Sequence, residues 1–464
     1  MHRTLVLLVV GLTPRLLGAH TPHLARFAAR GGMRPLRTVV PAVTCSVQST
    51  LLTGLLPSGH GAVANGWYFR ELAEVWLWRQ SNRLVAGEKV WEAAKRRDPA
   101  FTCAVMFWWY NMYTSADYGV TPRPIYLADG RKIPDCYSYP PGIRDELTRR
   151  LGRFPLFQFW GPGADIRSSR WIADATLWVR RTFDPTLTLC YLPHLDYGLQ
   201  KFGPDPTDPR VARELAAIDA IVGELIEAAE RDGTRVIVVS EYGITPVVDA
   251  VAINRVLRQA GLLAVREELG RELLDAGASR AFAVADHQVA HVYLQHGTPV
   301  AEVKRLLEAT EGVELVLDEE GKRAFGLDHP RSGELVAISR ADRWFSYYWW
   351  LDDARAPDFA RLVEIHRKPG YDPMELFVDP RFRFPKLAIG RRLFARALGF
   401  RTLLDVVPIA PTSLVRGSHG RLVDRADDGP LVMSNAPELL PEGEVAATAF
   451  KELVLAHLFR RIPD

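Results

Sequence analysis

The feature that most constrains the fold is an alternation in the first half of the chain. Continuous apolar runs take turns with amphipathic stretches. The runs at 4–10, 36–43, 101–108, 187–192 and 235–239 are short and rich in Val, Ile and Leu. They read as strands buried on both faces. Between them, 22–30, 46–52, 90–97, 172–182 and 209–232 carry apolar residues at helical spacing. Such an order predicts an α/β fold with a mostly parallel central sheet and helices on both faces. In such sheets reactive groups collect beyond the carboxyl ends of the strands. Thr44, Asp196 and Glu241 each stand just after a predicted strand, so distant segments are expected to meet at one rim.

The rest of the chain has a different texture. Residues 251–338 read as a smaller α+β cap inserted after a core of residues 1–250, with 281–294 as one long strand. Residues 339–464 are rich in aromatics and Pro. The cluster Trp344, Phe345, Tyr347, Tyr348, Trp349 and Trp350 is expected to pack as a wall over the core.

Composition narrows the functions. With 464 residues, 48% of them hydrophobic, a large core is available. A net charge of +3 over that length gives no reason to expect a nucleic-acid polymer as partner. The four cysteines form no CxxC pair, which points to reduced thiols rather than a disulfide framework. The start, MHRTLVLLVVGLTPRLLGA, imitates a secretory signal, but its apolar run is short and leads into a turn and a helix. A first core strand is the better account. No run reaches the length of a membrane span, so a cytoplasmic protein without a membrane partner is expected. Oligomeric state is not legible.

The chemistry concentrates in VPAVTCSVQSTLLTGLLPSGHGAVANGWY, residues 40–68. Thr44 lies between a strand-like run and a helix closed by Thr53-Gly54, with His60-Gly61 beyond. A hydroxyl there is either a helix cap or a nucleophile beside backbone N–H groups that favour an anion. The segment resembles the nucleophile region of the nucleotide pyrophosphatase/phosphodiesterase branch of the alkaline phosphatase superfamily. Three further segments carry the likeness: Asp196 followed by Gly203-Pro204, Ser240-Glu241-Tyr242-Gly243 after a strand, and Gly417-Ser418-His419-Gly420.

That resemblance implies a metal-dependent hydrolase of phosphodiester or pyrophosphate bonds. Thr44 would form a phospho-threonine. Thr44, Asp196, Glu241 and His419 would hold one or two divalent cations (Zn, Mn or Mg), which activate the nucleophile. Asn65, His366 and Lys368 would contact a small phosphorylated substrate. The chain departs from the family pattern at three places. Leu199 and Gln200 stand where Gly-His is expected, Tyr242 replaces a histidine, and the first strand ends in Val9-Val10-Gly11 without its aspartate. A catalytically degenerate member that binds a phosphorylated metabolite or a partner protein is therefore an alternative, and a phosphomutase a third. His287 and His291, four apart on the expected strand, and His194, two before Asp196, are further candidate donors.

Overall fold

The computed structural model describes residues 1–400 and 402–461. A sheet of nine strands runs through it. In chain order these are β1 (Thr4–Val9), β2 (Gly32–Arg37), β3 (Cys103–Met106), β4 (Tyr118–Pro122), β5 (Cys136–Tyr139), β6 (Leu187–Leu192) and β7 (Arg235–Val239). Two short strands from the end of the chain, Leu431–Ser434 and Val445–Ala446, complete it. The spatial order is Val445–Ala446, β2, Leu431–Ser434, β7, β1, β6, β3, β4, β5. β7, β1, β6, β3 and β4 are parallel, with Leu5 opposite Thr188 on one side and Val236 on the other.

The physical cause is plain in β1, where every residue is buried. A strand covered on both faces has no solvent side and needs no polar alternation. The helix at Pro209–Arg231 supplies one cover. Asp208 caps it by accepting from the Arg210 N–H, Pro209 fills its first turn, and Val211, Leu215, Ile218, Val222 and Leu225 form its buried stripe.

A second core lies beyond the main sheet. β8 (Ala281–Asp286) and β9 (Val289–Leu294) pair as an antiparallel hairpin, and Leu335–Ser339 and Val313–Leu317 extend the sheet. This corrects the expectation of one long strand over 281–294. The chain reverses at His287, whose φ of 59° is left-handed. His287 and His291 therefore do not share a strand face. The aromatic run is buried, but not as a wall over the main sheet: Phe345, Tyr347, Tyr348, Trp349 and Trp350 pack into the second core with Phe282 and Val284, and Trp344 packs with Val247 and Met374.

The three central strands fix the rim. β7, β1 and β6 lie side by side and end together, so the segments after Val239, Val9 and Leu192 are neighbours. Strand β2 spans Gly32–Arg37 and shares only 36–37 with the expected strand over 36–43; residues 38–43 lead to the helix Thr44–Thr53. All ten residues of that helix are buried. It ends at Gly54, whose φ of 75° suits the left-handed closing position.

Candidate active site

Thr44 is the first residue of its helix. The capping position belongs to Val43, and no side-chain cap bond forms there. The cap explanation of Thr44 thus fails, and its hydroxyl is turned to other partners. Thr44 Oγ1 lies 3.1 Å from the Tyr242 hydroxyl. Tyr242 in turn donates to Asp196 Oδ1 across 3.5 Å. The residue before it, Glu241, accepts from Gln48 Nε2 at 2.5 Å. His419 Nε2 stands 3.8 Å from Asp196 Oδ1. Thr44, Asp196, Glu241 and His419 thus gather from four distant segments, although Tyr242 stands between the first two.

Asp196 lies inside a helix, His194–Phe202, that begins directly after β6. Helical geometry places Gln200 one turn on, and Gln200 Nε2 donates to Asp196 Oδ2 at 2.8 Å. The amide oxygen of Gln200 is occupied by the Tyr371 hydroxyl at 2.9 Å. The same helix turns His194 away from Asp196, to an ion-pair contact with Glu214. The expectation that a continuing strand aims both the same way is corrected by the early start of the helix.

Four rings form a column beside these groups. Tyr242 lies flat on His419 with centroids 3.6 Å apart, His419 is 3.7 Å from His287, and His287 is 3.6 Å from Tyr371. His419 Nδ1 is 2.8 Å from the Ala42 carbonyl, which only accepts. That nitrogen carries the proton, and Nε2 is left with a lone pair and no hydrogen-bond partner. Burial drives both imidazoles well below the usual histidine range, with the neighbouring His287 adding to the effect on His419. Burial pushes the Asp196 carboxyl up to about 7, against the bonds from Gln200 and Tyr242. It also holds Glu241 well above the carboxylate range, against bonds from Gln48 and Thr44. Glu241 and both imidazoles are thus held uncharged at neutral pH, while Asp196 stands near the midpoint of its titration and can serve as a carboxylate.

Those donors do not fit the cation pair that the resemblance implies. The position after β1 offers Val10 and Gly11. A side chain at Gly11 would meet Leu199 Cδ1 at 3.3 Å and Ile244 Cδ1 at 3.4 Å, so apolar packing stands near the absent carboxylate. Tyr242 fills the place of an imidazole with a stacked phenol. Gln200 turns its amide nitrogen, which is no metal donor, to Asp196. Among the described residues no three His, Cys, Asp or Glu side chains gather in a way that could hold a metal ion.

The expected substrate contacts fall differently. Asn65 is beside the start of the Thr44 helix: its Oδ1 accepts from the Cys45 N–H at 2.9 Å. Its own N–H and amide donate to Asp286 at 2.8 and 3.0 Å. Lys368 is bound inside its own segment, 2.7 Å from Asp372 and 2.8 Å from Glu375, and all three side chains are buried. With its charge engaged there, it pins the segment that carries Tyr371 instead of facing a phosphate. His366 Nδ1 lies 3.4 Å from the Leu77 carbonyl, and burial lowers its pKa to about 4. A neutral imidazole is no clamp for an anion. His291 belongs to the second sheet, between the Val63 carbonyl and the Gly333 N–H.

Gln48, Asp286 and Tyr371 were not singled out as site residues from the sequence. Gln48 had a signal, standing one helical turn after Thr44. It bridges Glu241 and the Trp109 N–H, the latter at 2.7 Å. Tyr371 had none, because a loop places it.

Residues 4–372 match the family described as type I phosphodiesterase / nucleotide pyrophosphatase. The chain belongs to that family. The family is described by its phosphodiesterase and pyrophosphatase members. An uncharacterized pyrophosphatase/phosphodiesterase of Schizosaccharomyces pombe is 26% identical over 240 residues, which is 49% of this chain and 42% of that relative. The match therefore spans less than half of the curated relative's length. Among solved structures, phosphonoacetate hydrolase of Sinorhizobium meliloti in complex with phosphonoformate aligns with a TM-score of 0.62 at 17% identity. That alignment covers 98% of this chain and 96% of the other. Murine ectonucleotide pyrophosphatase / phosphodiesterase 5, in an inactive form with AMP, aligns with a TM-score of 0.60 at 15% identity. It covers all of this chain and 96% of the other. At such identities the likeness is one of fold, and it agrees with the expected α/β architecture.

Proposed function

We propose that this family member hydrolyses a phosphodiester or pyrophosphate bond of a small phosphorylated substrate, with Thr44 as the nucleophile. The observation that carries the reading is the Thr44–Tyr242 hydrogen bond of 3.1 Å at the start of a buried helix, with Asp196 next in line. Thr44 Oγ1 forms a bond to phosphorus as the bond to the leaving oxygen breaks. The hydroxyl proton passes to the Tyr242 oxygen while Tyr242 gives its own to the Asp196 carboxylate, and the leaving oxygen takes a proton from water. The product is a phospho-threonine that still carries the substrate's second ester group. Water then attacks phosphorus and loses its proton to the hydroxide left by the first step; the Thr44 Oγ1–phosphorus bond breaks, and Asp196 returns its proton through Tyr242 to Thr44 Oγ1. The start of the helix offers an electropositive end to the substrate anion.

This scheme routes no step through a cation, because the donors do not fit one. A second reading keeps the fold and the anion site without turnover. It is favoured by burial: Thr44 is 4% exposed and Glu241 fully buried. Hydrolysis of an aryl phosphodiester by chelator-treated protein separates the two. Wild type and Cys45→Ala are expected to turn over, Thr44→Ala to be silent, and acid quench to trap on Thr44 a phosphoryl group that keeps the substrate's second ester. Equal inactivity of wild type and Thr44→Ala, with or without Zn, Mn or Mg, would leave the second reading. Activity that appears only with added metal would restore the cation-dependent expectation.

A further inference from the structure

We propose that the excursion between Asp379 and Val406 is a docking surface for an anionic lipid bilayer. The excursion is closed at its base, where the Asp379 N–H donates to the Val406 carbonyl at 2.7 Å. Val407, just beyond, donates to the Arg361 carbonyl and is buried with Met374, Val247, Trp344 and Val415. The root is thus fixed in the core, close to the segment that holds Tyr371.

Outside the root, the excursion carries a helix, Pro385–Ala397. One side is tied down: Arg392 Nε pairs with Asp405 Oδ1 at 2.6 Å, and the Thr402 hydroxyl donates to the Arg392 carbonyl. The other side shows apolar groups to solvent. Leu387, Phe394 and Leu398 are spaced by seven and four residues, which aligns them along one helix face. They are 71%, 65% and 61% exposed, and Phe384 and Phe400 at the two ends are each 64% exposed. A soluble surface rarely groups so many large apolar side chains without a use for them.

Charge selects the occupant. From Asp379 to Val406 the sequence carries seven Lys or Arg against Asp379 and Asp405, which pair with Arg381 and Arg392, for a net charge of +5. The chain as a whole is only +3, so this run is a local concentration of positive charge. Arg391 is exposed and lies on the apolar face, four residues after Leu387. A second copy of the same face would bring cations against cations. A nucleic acid would use the cations but leave the Leu–Phe ridge uncovered. An anionic bilayer satisfies both, taking the ridge below its headgroups and the cations among its phosphates. This surface lies outside the Thr44 site, and the proposal does not depend on which reaction occurs there.

The test is flotation of the full chain with phosphatidylcholine vesicles, with and without phosphatidylserine. Wild type is expected to float with the anionic vesicles, and to be released by high salt. Leu387→Glu/Phe394→Glu is expected to lose binding at least about tenfold, and Arg391→Ala about fivefold, since each cation near such a surface contributes on the order of a factor of five. The replaced side chains are exposed, so the thermal midpoint of each variant should match wild type and separate docking from folding. Failure of wild type to float with either vesicle, or flotation unaffected by the double replacement, overturns the proposal. Retention by an acidic protein or a nucleic acid without vesicle binding overturns it as well.

Discussion

Replacing Lys368 by methionine tests what this lysine is for. Its ammonium lies between Asp372 Oδ2 at 2.7 Å and Glu375 Oε1 at 2.8 Å, and no side chain of the three is more than 2% exposed. Burial pulls the lysine's pKa down, but the two carboxylates more than offset it, and on balance it is raised. Glu375 also accepts from Trp160 Nε1 at 2.6 Å and from the Glu364 N–H at 2.9 Å. Methionine fills the same space without the charge and strands two acids in the interior. Breaking a buried pair in this way costs about 3–5 kcal/mol. The loss is expected as a lowered urea midpoint at neutral pH. Replacing the acids as well, in Lys368→Met/Asp372→Asn/Glu375→Gln, should recover most of it, because no uncompensated charge remains. A loss below about 1 kcal/mol would refute the pin, since exposed pairs behave that way. So would an unchanged midpoint with a large rise in KM for a phosphodiester, which would return Lys368 to the role of a phosphate clamp.

Other outcomes follow from the same geometry. Tyr242→Phe removes the hydroxyl between Thr44 and Asp196 while keeping the ring on His419; kcat should fall about 10²-fold or more with KM little changed, as steady-state kinetics would show. Asn65→Ala leaves Asp286 and the Cys45 N–H short of partners in the interior and should cost about 2–3 kcal/mol in denaturant unfolding. His457, held by Ser434 and the Leu453 carbonyl, has its pKa lowered by burial to about 4 from 6.5. Its stabilising effect is complete above pH 6.5 and is lost as pH falls toward 4. Between pH 7 and pH 5 wild type should therefore lose about 2 kcal/mol that His457→Gln does not. Restoring the family donors with Val10→Asp, Gln200→His and Tyr242→His together should create stoichiometric zinc binding that wild type lacks, as read by metal analysis after dialysis.

The sequence by itself determined the scaffold. Continuous apolar strands are buried between layers of helices, so the mostly parallel sheet and the rim where Thr44, Asp196 and Glu241 meet were legible from the strand runs. Thr44, Asp196, Glu241 and His419 each followed a recognisable strand or turn signal. The tertiary structure decided what those residues face. A helix starting at His194 instead of a longer strand sent His194 to Glu214 and set Gln200 against Asp196. A left-handed turn at His287 split one expected strand into a hairpin and delivered that ring to the column of Tyr242, His419 and Tyr371. Lys368 and His366 looked like anion ligands as residue types. Their partners, two buried acids and a carbonyl oxygen, come from loop paths that no local periodicity encodes. Strand and helix signals are local and repeat along the chain. Side-chain partners across loops depend on long-range packing, which is why the rim could be foreseen and the partners of its side chains could not.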